Sequence, residues 1–209
     1  MAAAGLMMLL LPTHSAAQQA ADPSGQPNEH RAADSVKLLA GGLSGLVLHE
    51  SGHLVFDVAF DARPHVQGIR FGPFPFFAIG HRADLTPRRE LTISSAGFWV
   101  QEAGSEWLLS TRPALRRTRA PLAKGLLAFN VLNSLGYAIV ACAKAGPLER
   151  DTRGMSVSSG LDERAIAGIV LAPALLDAWR YFKPEARWAV WSSRAAKIGS
   201  VLLVAKRQD

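Results

Sequence analysis

The chain has 209 residues, 49% of them hydrophobic and 19% charged, with a formal net charge of +6. That length suits one domain or one helical bundle, and the single cysteine, Cys142, excludes an intrachain disulfide framework and any cysteine-based zinc cluster. The basic balance would suit nucleic acid, but the arginines and lysines crowd between apolar segments without aromatic–basic interleaving, which points to charge flanking membrane helices and no nucleic-acid partner.

Residues 1–20 carry an apolar core followed by small residues, the pattern of a signal peptide or anchor, without the usual basic start. Residues 21–34, with Pro23, Gly25, Pro27 and mixed charges, are expected to be a flexible linker. The remainder, 35–209, reads as one membrane domain.

Residues 37–60 predict a helix about 36 Å long, enough to cross a bilayer core. Small residues punctuate it, and Gly41 and Gly45 have the spacing that lets helices approach closely. Inside this run lie His49, Glu50 and His53. On a helix the two histidines are one turn apart on one face, so both imidazoles can reach a single metal ion. Glu50 is placed to accept a proton from water activated there. Asp57, a further turn along, lies about 12 Å from His49 along the axis. That is too far to share the ion with both histidines and fits a supporting role.

Residues 61–90 are broken by glycines and prolines around the β-prone runs 66–71 and 74–79, which predicts a hairpin-like insertion. His65 and His81 within it are expected to be exposed loop residues. Residues 91–111 are moderately apolar, and Gln101, Glu102 and Glu106 should face a bundle interior or a polar site rather than lipid. After the basic connection 112–124, residues 125–143 form a charge-free stretch of spanning length carrying Asn130 and Asn133 on one face. These amides need partners, either a neighbouring helix or a substrate backbone. Cys142, within the same run, is expected to pack rather than react. A polar loop is expected over 144–164, an apolar helix interrupted by Pro173 over 165–182, and an edge helix with snorkelling Arg194 and Lys197 over 187–205. The predicted architecture is an all-α membrane bundle of four to five helices with a small β-like insertion after the first core helix.

His49-Glu50-Ser51-Gly52-His53 within an apolar helix, the Gly- and Pro-rich β-like stretch, Ser94-Ser95-Ala96-Gly97 and the Asn-bearing Phe129–Asn133 segment together resemble the site-2-protease family of intramembrane zinc metalloproteases. The resemblance covers roughly residues 35–155. It implies a multi-pass protein of a bacterial-type inner membrane that binds Zn2+ and cleaves a membrane protein or peptide substrate in contact with the lipid bilayer. It further implies Glu50 as the general base and Asn130 or Asn133 as a hydrogen-bond donor to the substrate strand or oxyanion.

One departure matters. The family's Asn-bearing helix continues through prolines to an Asp-Gly pair that supplies the third zinc ligand, whereas Asn133 is followed by Ser134, Leu135 and Gly136. Residue chemistry leaves Asp151, Glu102 and Glu106 as candidates for that ligand. The analogy of an aspartate following the Asn-bearing helix selects Asp151. Two other readings compete with a membrane protease. One is a non-catalytic membrane protein that keeps the motif and acts by partner binding, and the other is a soluble zinc peptidase whose apolar runs are core helices.

Overall fold

The protein is described by a computed structural model over residues 26–71 and 74–207. The signal-like segment and the first residues of the expected linker lie outside the described residues. Among the described residues the chain forms six α-helices, one two-stranded sheet and a short 3₁₀ turn. Helix α1 spans Gln26–Ala59, β1 His65–Phe71, β2 Phe74–Gly80, α2 Pro87–Thr111 and α3 Pro121–Ala143; α4 spans Asp151–Ser159, α5 Glu163–Phe182 and α6 Arg187–Lys206, with the 3₁₀ turn at Leu115–Arg117. The expected helical architecture with a β insertion after the first helix is therefore present. The strands pair antiparallel from His65 opposite Gly80 to Phe71 opposite Phe74.

Three local expectations change. Residues 26–34 are not linker but the first turns of α1. Pro27 is compatible with this because a proline in the first helical turn costs no intrahelical hydrogen bond. Part of the expected 144–164 loop is the helix α4. Its glycine and serines are weak helix formers, and tertiary packing of fully buried Thr152 and nearly buried Met155 holds it instead. Cys142, expected to pack, is exposed.

Helices α1 and α3 run parallel and touch through backbone. A Cβ added at Gly41 would overlap the Leu122 carbonyl, one at Gly45 the Phe129 ring, and one at Gly125 the Leu38 carbonyl. Small residues thus do what their spacing suggests: they set two backbones side by side. Leu91 and Phe98 of α2, Tyr137 of α3, Met155 of α4, and Ile166 and Val170 of α5 form the main buried cluster. With Val204 of α6 in the same cluster, helices α2 to α6 all contribute to this core.

Helix α3 and helix α5 are long and apolar enough to cross a membrane, with mean hydropathies of 1.7 and 1.3 over their best windows. Helix α1 is not among them, because its histidines, glutamate and glycines dilute an otherwise apolar run. Its outward side is nonetheless a row of apolar residues, Leu39, Leu43, Val47 and Val58, each half-exposed or more. Lys197 of α6 turns inward rather than snorkelling. Its Nζ lies 2.8 Å from Asp177 and 3.1 Å from Glu106, beside Arg180, which pairs with the same two carboxylates. Arg194, half-exposed, also pairs with Glu106 at 2.8 Å. An ionic network thereby ties α2, α5 and α6 together.

Candidate metal centre

His49 and His53 project from successive turns of α1, and both are almost completely buried. Close approach of α2 closes the site on one side. A Cβ at Gly97 would overlap His53 Nε2 and the His49 ring, so only glycine admits the α2 backbone there. Asp151 enters from the first residue of α4, 94% buried. His49 Nε2 lies 3.2 Å from His53 Nε2 and 3.2 Å from Asp151 Oδ2, and His53 Nε2 lies 3.4 Å from the same oxygen.

The outer nitrogens of both rings have defined partners, which fixes the tautomers. His53 Nδ1 is 2.7 Å from the carbonyl oxygen of Ile93. A carbonyl only accepts, so Nδ1 carries the hydrogen, and in the neutral ring Nε2 keeps its lone pair. His49 Nδ1 is 2.5 Å from Gln101 Oε1. The Gln101 amide is oriented by its Nε2, which donates to the Asn130 carbonyl at 3.1 Å, so Oε1 must face His49 and accept from it. Asn133 Nδ2 donates to the same Oε1 at 2.9 Å. With both imidazoles neutral, two Nε2 lone pairs and a carboxylate oxygen therefore converge on one buried point. Three acceptors in contact repel unless positive charge lies between them. His49, His53 and Asp151 form a buried group that can hold a metal ion. The outer hydrogen bonds orient the imidazoles as second partners of metal-bound histidines do.

The other candidates for the third ligand are engaged elsewhere. Glu106 belongs to the ionic network, and Glu102 accepts from Ser200 Oγ at 3.1 Å. Glu50, next to His49, is partly buried, and its Oε2 is buried without a hydrogen-bond partner. Asn130 and Asn133, for which either a neighbouring helix or a substrate backbone was the expected partner, are buried against α2. Asn130 Nδ2 donates to the Gln101 carbonyl at 3.0 Å and to Ser105 Oγ at 2.8 Å. Their observed contacts support His49 through Gln101. Gln101 was legible only as a polar residue facing inward; nothing in its spacing linked it to His49, 52 positions earlier.

Two further features frame the centre. Arg150, buried beside Asp151, pairs with Glu163 at 2.6 Å and donates to the Pro147 carbonyl at 2.8 Å, which anchors the start of α4. His81, expected to be an exposed loop residue, is largely buried at the end of β2. Its Nε2 is 2.7 Å from Glu90 and its Nδ1 3.3 Å from Asp57. Contacts with Asp57 and Glu90 push its pKa up to about 10. Asp57 therefore supports the hairpin rather than the His49–His53–Asp151 group. A cavity of about 190 Å³ reaches His53 and Asp151 from the hairpin side, lined there by Gln67, Ile79 and His81. No family model, curated protein or solved structure matches the chain.

Proposed function

We propose that the protein is a membrane-embedded zinc metallopeptidase resembling the site-2-protease family, with His49, His53 and Asp151 as zinc ligands. The spacing of the three ligand atoms carries this reading. Tetrahedral zinc with bonds of about 2.0–2.1 Å sets neighbouring ligand atoms about 3.3 Å apart, and the separations here are 3.2, 3.2 and 3.4 Å. Two neutral imidazoles and one carboxylate are also a ligand set that leaves a fourth position open for chemistry. Bound zinc would supply a Lewis acid that makes water acidic near neutral pH and polarises a carbonyl.

The chain's own residues account for the remaining steps. Glu50 Oε2, buried and unpartnered, receives the proton of the attacking water and returns it to the leaving amine. Gln101 and the Ile93 carbonyl keep both imidazoles in the ligating tautomer, and Asn130 and Asn133 hold Gln101. Strand β2 borders the cavity that leads to the centre, and an extended substrate segment fits alongside it by strand pairing. A membrane setting is supported by the apolar helices α3 and α5 and by the outward apolar row on α1. With these and α2 crossing together the chain would be multi-pass.

The test is Glu50→Gln in detergent-purified protein, with zinc content and cleavage of a transmembrane peptide measured side by side. Zinc should stay and cleavage should fall by at least a hundredfold, the usual scale for loss of a general base. Full cleavage by the variant refutes the hydrolase reading. A wild-type protein that holds zinc and cleaves nothing would favour partner binding through a retained motif.

A further inference from the structure

The end of the bundle opposite the hairpin gathers the C-termini of α2 and α5 and the N-termini of α3 and α6, joined by the 3₁₀ turn. A groove of about 400 Å³ opens there, lined by Arg116 and Arg117 on one side and by Tyr181, Phe182 and Glu185 on the other. Arg116 stacks over the Phe182 ring at 5.3 Å. Arg112, Arg117, Lys183 and Arg187 are exposed at the same end, and among the described residues none of them forms an ion pair. Of the other charges present, Arg119 is paired with Asp34 at 2.8 Å, and Glu185 is the acidic residue of the groove itself.

What surrounds this charge decides which anion suits it. Phe182 is 55% exposed and ends α5, one of the two helices with spanning character, while Pro121 begins the other. Beside the groove, Trp179 and Trp188 stand with ring centroids 5.7 Å apart, both half-exposed. Beyond them α6 presents Trp191, Ile198 and Leu202 outward. Apolar wall, then tryptophan, then unpaired arginine and lysine is the order of groups met on passing from acyl chains through the interface to headgroups. A soluble polyanion would need the cations without the apolar wall.

We infer that the groove between the 3₁₀ turn and the α5–α6 connection binds the headgroup of an anionic phospholipid, its phosphate on Arg116 and Arg117 and its acyl chains along Phe182 and Trp179. This rests on the membrane reading above but not on proteolysis. Arginine suits the role because its planar fork meets phosphate oxygens in pairs. The lipid would thereby tie the 3₁₀ turn to the end of α5, whose other end carries Glu163, the partner of Arg150 beside Asp151.

The full-length protein in detergent is titrated with short-chain phosphatidylglycerol or phosphatidylcholine, and bound lipid is read by native mass spectrometry. Phosphatidylglycerol should bind at least tenfold more tightly. The double variant Arg116→Gln/Arg117→Gln should weaken that binding about 30-fold, as two surface cations of about 1 kcal/mol each imply. Arg88→Gln/Arg89→Gln, at the hairpin end, should leave it unchanged. Equal binding of the two lipids, or a preference that survives loss of Arg116 and Arg117, overturns the proposal. So does glycerol phosphate binding as tightly as the lipid, which would make the groove a site for a soluble anion. Carbonate washing of membranes separates the two levels of failure. Retained protein without lipid preference refutes this site alone, and release of wild-type protein refutes the membrane reading together with it.

Discussion

Replacing Gln101 probes the candidate metal centre, because Gln101 is outside the His49–His53–Asp151 group and yet orients His49. Gln101→Met keeps the side-chain length and removes both polar ends. His49 Nδ1 loses an acceptor at 2.5 Å and Asn133 Nδ2 loses one at 2.9 Å, both in a buried setting. Two unsatisfied buried donors cost about 1–3 kcal/mol each, so stability should fall by roughly 2–6 kcal/mol. The His49 ring, freed to rotate or change tautomer, should bind zinc about 10–100-fold more weakly, the usual effect of losing an outer hydrogen-bond partner. Gln101→Glu separates these effects, since a carboxylate still accepts from His49 and Asn133 while losing the donor to Asn130. That variant should keep zinc affinity close to wild type despite some loss of stability. The assay is competition with a chelator of known affinity on folded, detergent-purified protein. A folded Gln101→Met protein binding zinc within threefold of wild type would refute the claim that Gln101 sets the His49 tautomer.

Two other outcomes follow from the same geometry. Asp151→Ala should lose most bound zinc, whereas Glu102→Ala and Glu106→Ala should keep it, because those carboxylates bond to Ser200 and to the α5–α6 cations; metal analysis of the three variants decides it. His81, with its pKa raised to about 10 by Asp57 and Glu90, should anchor the end of β2. Its contribution is fully present below the unfolded value of about 6.5 and is lost as pH rises through about 10. Amide exchange across residues 61–86 should therefore quicken between pH 8 and 11 beyond the intrinsic base-catalysed rate, and His81→Asn should remove that excess. An unchanged excess in the variant would assign the transition to another group.

The sequence by itself determined what local chemistry can carry. Two histidines one turn apart point the same way on any helix, so His49, Glu50 and His53 were readable as a unit before any fold was known. The apolar stretch now seen as α3 was equally readable, as were the alternating β-prone runs of the hairpin and the glycines through which α1 meets α3. Asp151 was reachable only through family resemblance, since no spacing connects it to histidines some 100 positions earlier. Tertiary structure decided the rest, because hydrogen-bond partners across helices leave no periodic trace. The α1–α2 approach at Gly97 brings Gln101 to His49, and the Arg150–Glu163 pair holds α4 where Asp151 meets both imidazoles. The same packing turned Lys197 inward, engaged Asn130 and Asn133 with α2 and buried His81 between two carboxylates. Each of these residues is polar, and a polar side chain announces that it needs a partner without saying which one the fold will supply.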